Sequence, residues 1–93
     1  MHMVSLQECL DLSGLDEEAI RVIAQREHIP DIVAAELGYS LSRTPAGERL
    51  LRRLIRDDLK DAAARGDLQR SLRLNRALAR FNAHYQRGER PPA

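Results

Sequence analysis

Residues 44–86 read TPAGERLLRRLIRDDLKDAAARGDLQRSLRLNRALARFNAHYQ, and this stretch decides the fold. Thr44 followed by Pro45 is a helix cap and a first helical residue: the hydroxyl accepts an orphan backbone N–H, and proline brings a preset φ with no N–H to lose. Gly66 suits the left-handed position that closes a helix, and Asp67 caps whatever follows. The stretch therefore predicts two long helices, over residues 45–65 and 68–86, folded back on each other as an antiparallel hairpin across a tight turn.

Outward from the hairpin, towards the N-terminus, the elements become short. Pro30 suits the first turn of a helix near residues 30–38, where Val33, Ala34 and Leu37 share a face to be buried. Gly38 to Arg43 then reads as a loop. Asp16 caps an earlier helix, with Leu15 and Ile20 placed as a hydrophobic staple and Ala19, Ile20, Ile23 and Ala24 as its buried stripe; Ile29-Pro30 ends it. Ser5 and Glu8 have capping-box spacing for a first helix near residues 5–12, which Gly14 stops. Residues 1–4 read as a disordered or cloning-derived start, residues 5–86 as one helical domain and residues 87–93 as a flexible tail. The fold class expected is all-α, a small bundle of four to five helices built on the C-terminal hairpin.

Composition supports one lean core. A chain of 93 residues buries only about 60 to 65% of its unfolded surface. With Tyr39, Phe81 and Tyr85 as the only aromatics, that core must be aliphatic. The single cysteine, Cys9, excludes an intrachain disulfide and a multi-cysteine zinc site, and reads as a small core residue. No apolar run spans a bilayer and no basic-then-apolar leader opens the chain, so a cytoplasmic protein with no membrane contact is expected. Arg outnumbers Lys fourteen to one, a codon signature of a GC-rich, bacterial genome.

Charge is divided unevenly. Residues 1–42 carry a net −6 and residues 43–93 a net +7, for a total of +1. Such a split suggests two halves that fold onto each other, or a face directed at a charged partner. On a helical wheel the 45–65 segment gathers Leu50, Leu51, Leu54, Ile55, Leu59 and Ala62 on one side and Arg49, Arg52, Arg53, Arg56 and Lys60 on the other. The 68–86 segment groups Arg73, Arg76 and Arg80, with Arg87 beyond it. These cations form the candidate surface for an anionic partner, because arginines on rigid helices suit bidentate contacts. The bland reading is a solvated helix face, and no aromatic residue interleaves the arginines to stack bases.

Leu74, Leu78, Phe81 and Tyr85 form an apolar seam with coiled-coil spacing and are the candidate self-association surface. Leu68, Leu72 and Ala79 make a second apolar group around the same helix. One antiparallel neighbour cannot cover both, which favours a homodimer.

Other motifs carry less. Ala34-Ala35-Glu36-Leu37-Gly38-Tyr39-Ser40 looks like the middle of a helix-turn-helix, but Pro45 would then fall inside the recognition helix at a cost of about 3 kcal/mol. Asp58 and Glu27 sit where hydrocarbon is expected, and His28, Asp57, Asp61 and His84 are further possible ligands. None of them has the spacing of a metal-binding helix, so no metal or cofactor is expected, and the two acids should instead find partners such as an arginine at the core's edge. Arg65-Gly66-Asp67 spells an adhesion tripeptide, but its glycine and aspartate already serve as helix stop and cap. Phosphate loops, nucleophile elbows and sequons are absent. The function expected is a non-enzymatic interaction or regulatory protein that binds another protein, itself included; the alternative is a nucleic-acid binder using the basic stripes.

Overall fold

The computed structural model describes residues 11–86, and within them the fold is all-α, with no strand. Residues 11–13 are helical. They are followed by α1 (Glu17–Glu27), α2 (Asp31–Ser42), α3 (Pro45–Ala64) and α4 (Leu68–Gln86). Most of the expected first helix, Cys9, residues 1–4 and the 87–93 tail lie outside the described residues. None of the described helices is long and apolar enough to cross a membrane.

The caps account for the boundaries. The Asp16 carboxylate accepts from the Ala19 N–H at 2.9 Å, and Glu17 and Glu18 add negative charge to the first turn of α1, where the helix dipole favours it. His28 closes α1 with φ 55 and a backbone N–H to the Ala24 carbonyl, and Pro30 follows directly. The Thr44 hydroxyl accepts from the Gly47 N–H at 3.0 Å. Gly66 turns the chain at φ 73, and Asp67 accepts from the Arg70 N–H at 3.1 Å.

α3 and α4 form the largest interface, the expected C-terminal hairpin. Its pairings run antiparallel: Asp58 meets Arg70 near the turn, and Arg52 meets Asn82 farther from it. α1 lies across this hairpin, touching both α3 and α4, while α2 packs on α1 and α3. α2 and α4 therefore stand diagonally across the bundle, linked at their C-terminal ends by the Tyr85 hydroxyl, which donates to the Ser13 carbonyl at 2.9 Å and lies 3.4 Å from that of Ser42.

The core holds Leu15, Ile20, Val22 and Ile23 from the α1 region, Leu51 and Ile55 from α3, and Leu74, Ala77 and Phe81 from α4. Each large side chain among them contributes about 1.5 to 3 kcal/mol by leaving water. Phe81 is tilted against Tyr85 with ring centroids 4.7 Å apart, and the Arg52 guanidinium covers its ring at 5.5 Å.

Four sequence expectations are corrected. α2 does not stop at Gly38 but runs on to Ser42, so the predicted 38–43 loop shrinks to Arg43 and Thr44. Gly38 is there for closeness rather than for a turn: a Cβ on it would come within 2.6 Å of Leu15 Cδ1 and 3.1 Å of Ile23 Cδ1. This uninterrupted helix also leaves no place for the turn of a helix-turn-helix. Val33 and Leu37 do not face the core, because α2 buries the small stripe Ala34, Ala35, Gly38 and Ser42. Leu50 is exposed rather than buried on α3. Glu27, expected over hydrocarbon, is exposed at the end of α1.

Candidate functional site

The outer face of α2 is the site that composition does not announce. With its small residues turned inward to meet α1 and α3, the helix presents its large aliphatics to solvent: Ile32 and Val33 are each 44% exposed and Leu37 36%. At 100° per residue, Ile32, Val33, Glu36, Leu37 and Ser40 share the face opposite the buried stripe. Glu36 is the charged residue of this face within α2; Asp31, at the helix start, lies round on the side of the buried stripe, and Arg43 caps the far end. The result is an apolar patch with one carboxylate, Glu36, on it and Arg43 at its C-terminal end.

α4 carries the opposite combination. Leu68 and Leu72 are 74% and 60% exposed, and with exposed Ala79 they form a stripe facing away from the core. α4 contains Arg70, Arg73, Arg76 and Arg80 and no acidic residue.

The expected self-association seam is used differently. Leu74 and Phe81 are fully buried inside the chain, and Leu78 and Tyr85 pack against the same core. The hairpin and α1 consume this seam, because α1 lays its aliphatic stripe over α4. The apolar surplus of α4 is instead the second group, around Leu68 and Leu72.

The eight candidate cations divide into three sets. Arg49, Arg53, Arg56 and Lys60 form an exposed stripe on α3 and make no side-chain hydrogen bond or ion pair among the described residues. Arg52 leaves that stripe: its Nε donates to Asn82 Oδ1 at 2.7 Å and its Nη2 to Glu48 Oε2 at 2.8 Å. Arg73, Arg76 and Arg80 face the acidic first turn of α1 across an open cleft of ≈ 430 Å³. Within it Glu18, largely buried, accepts from Arg73 Nε at 2.9 Å and from Arg21 Nη1 at 3.3 Å. The basic residues of α4 thus stand beside α1 rather than extending the α3 stripe. The Arg73–Glu18 pair joins the acidic half of the sequence to the basic half.

Asp58 finds the arginine partner expected of it, and finds two. Arg26 Nη2 reaches Oδ1 at 3.0 Å and Arg70 Nη2 reaches Oδ2 at 2.9 Å, so a carboxylate only 16% exposed ties α1, α3 and α4 together. Held by two guanidiniums, it is a clasp and not a free base. His28 lies exposed at the end of α1, and His84 is buried, its ring edge-on to Tyr85 at 4.9 Å. Among the described residues no three His, Cys, Asp or Glu side chains gather as a metal-holding group.

The signal that sequence reading missed was the spacing Ala34, Ala35, Gly38, Ser42. Small residues one turn apart mark a helix face built for close approach, and here they outcompete the larger aliphatics for the inside. No protein-family model, curated protein or solved structure matches the chain.

Proposed function

We propose that this chain is a small non-enzymatic adaptor or regulatory protein of the bacterial cytoplasm, working through helix-surface contacts with other proteins, copies of itself among them. The observation that supports this reading is the outward face of α2, where Ile32, Val33 and Leu37 stay in contact with water beside Glu36. Burying such side chains gives about 25 cal/mol per Å², and a fold that leaves them outside while burying alanines keeps that gain for a partner. The chemistry of the patch suits an apolar helix with a base placed to meet Glu36. A synthetic helical peptide with leucines four residues apart and flanking arginines is the direct probe. Its titration should shift the methyl and amide resonances of Ile32, Val33 and Leu37, and the shifts should shrink when glutamates replace its arginines. Unmoved α2 resonances would overturn the reading.

A second reading rests on a separate observation, the acid-free stripe of Arg49, Arg53, Arg56 and Lys60, which extends about 16 Å along α3 at 1.5 Å per residue. Such a stripe suits the phosphates of a nucleic-acid backbone. Four phosphate contacts would make log affinity for duplex DNA fall with log salt at a slope of about −3.6. A slope near zero, or no binding at low salt, removes this alternative.

A further inference from the structure

We propose that the outer face of the hairpin, the side turned away from α1, docks on an anionic phospholipid surface. This goes beyond both readings of function and rests on two stripes that the hairpin sets side by side. At 100° per residue, Arg49, Arg53, Arg56 and Lys60 fall within about 60° of one another on α3, opposite its buried Leu51, Ile55 and Ala62. Leu68, Leu72 and Ala79 fall within about 40° of one another on α4, opposite its buried Leu74, Ala77 and Phe81. The pairs that cross the hairpin place both stripes on one side of it. Asp58 and Arg70 meet where Arg26 of α1 joins them, so that flank faces α1. Arg52 and Asn82 meet on the other flank, and each stripe begins next to them: Arg56 and Arg49 follow Arg52 round α3, and Leu68 and Ala79 follow Asn82 round α4. The Asp58–Arg70 register sets Lys60 level with Leu68 and Arg56 level with Leu72.

The combination of cations with leucines selects the occupant. A polyanion alone, such as duplex DNA, engages the four cations and leaves Leu68 and Leu72, 74% and 60% exposed, in water. A purely apolar partner buries the leucines but strips water from charges it cannot pair. The boundary of an anionic bilayer meets both needs: headgroup phosphates take the cations, and the acyl edge beneath them takes the leucines. Long basic stems let the charges stay among the headgroups while the leucines lie deeper. Neighbouring acids do not oppose this contact. Glu48 is held by Arg52 at 2.8 Å, and Asp57 and Asp61 lie beyond the cations, on the flank turned away from α4. Arg76 and Arg80, which already face the acidic turn of α1, are not needed for it. A contact of this kind lies on the membrane and requires no spanning helix, and none of the described helices is one.

The experiment uses the full chain and vesicles of phosphatidylcholine, alone or mixed with an equal part of phosphatidylglycerol. In co-sedimentation the chain should pellet with the mixed vesicles, stay in solution with phosphatidylcholine alone, and be released by high sodium chloride. Arg53→Gln with Arg56→Gln should weaken binding to the mixed vesicles roughly tenfold or more. Leu68→Gln with Leu72→Gln should weaken it by about as much. All four positions are exposed; should either pair lose helicity by circular dichroism, alanine replaces glutamine at the same positions. A leucine pair that binds the mixed vesicles as tightly as the unaltered chain overturns the proposal and leaves the cations to the nucleic-acid reading, whose salt slope that variant would not alter. No pelleting with the mixed vesicles, or equal pelleting with the neutral ones, also overturns it. So does a solution mass above 10.5 kDa that the leucine pair abolishes, because the leucines then belong to a contact with a second copy.

Discussion

α1 and α2, of 11 and 12 residues, pack against each other with opposite parts of their composition. α1 turns its large side chains inward, burying Ile20, Val22 and Ile23 and leaving Arg21, Gln25 and Arg26 outside. α2 turns its small ones inward and leaves Ile32, Val33 and Leu37 outside. The two choices are linked. A large-residue face needs a shallow surface to fill, and α2 supplies it: Leu15 and Ile23 reach into the space that a Cβ on Gly38 would occupy. The helix that gives up volume at the interface keeps its own aliphatics for the other side.

The contrast can be broken most forcefully from the α1 side. Ile23→Ala removes a nearly fully buried side chain and should cost about 2 to 5 kcal/mol in urea denaturation, the range for cavity-forming truncations. On the α2 side the damaging change runs the other way, from small to large. Gly38→Ala should cost about 1 to 3 kcal/mol by overpacking against Leu15 and Ile23, and a neutral or stabilising result would show that α2 can slide outward. Gly47→Ala should fall at the upper end of that range, because its Cβ would meet the Leu41 backbone carbonyl, which cannot rotate aside as a side chain can.

Asp58 sharpens the comparison at a smaller magnitude, because it anchors α1 but not α2. Asp58→Asn should cost about 1 kcal/mol, keeping one acceptor for Arg26 or Arg70, and Asp58→Leu should cost more by leaving both guanidiniums without one. A leucine variant more stable than the wild type would reverse this account. Smallest of all, Val33→Gln and Leu37→Gln should change stability by no more than about 0.5 kcal/mol. A loss of 2 kcal/mol or more at either position, roughly that of a buried residue, would mean that the outer face of α2 is covered within the chain.

What could be read in advance follows the same line. The hairpin, the caps at Asp16, Thr44 and Asp67, and the closing glycine at position 66 were legible because capping depends on residues within one turn of each other. The burial of Ala19, Ile20, Ile23 and Ala24 on α1 was legible because they recur at helical spacing, whereas Val22, equally buried, was not read. α2 was not legible, because hydrophobicity alone ranks Val33 and Leu37 above Ala34 and Gly38, whereas the winning term is the distance of closest approach between helices. The charged surface was half legible: Arg49, Arg53, Arg56 and Lys60 hold the predicted stripe, but the diversion of Arg52 to Asn82 and of Arg73 to Glu18 depends on helix rotations that become defined only in the bundle.

The hairpin turn has a consequence for the route by which the chain folds. Gly66 stands in open space, with nothing within 4 Å of where a Cβ would be, at the centre of a turn that joins the two longest helices across the largest interface. Bringing α3 onto α4 therefore closes only a very short loop, which costs little chain entropy, whereas docking α1 on α4 must first close a loop of several tens of residues. The hairpin should be formed early and the α1–α2 layer added late. Ala substitutions at Leu51 and Leu74 would then slow folding, and substitutions at Ala34 would mainly speed unfolding. A chain that folds in this order meets its neighbours first as a basic hairpin, before the acidic layer has been laid across it.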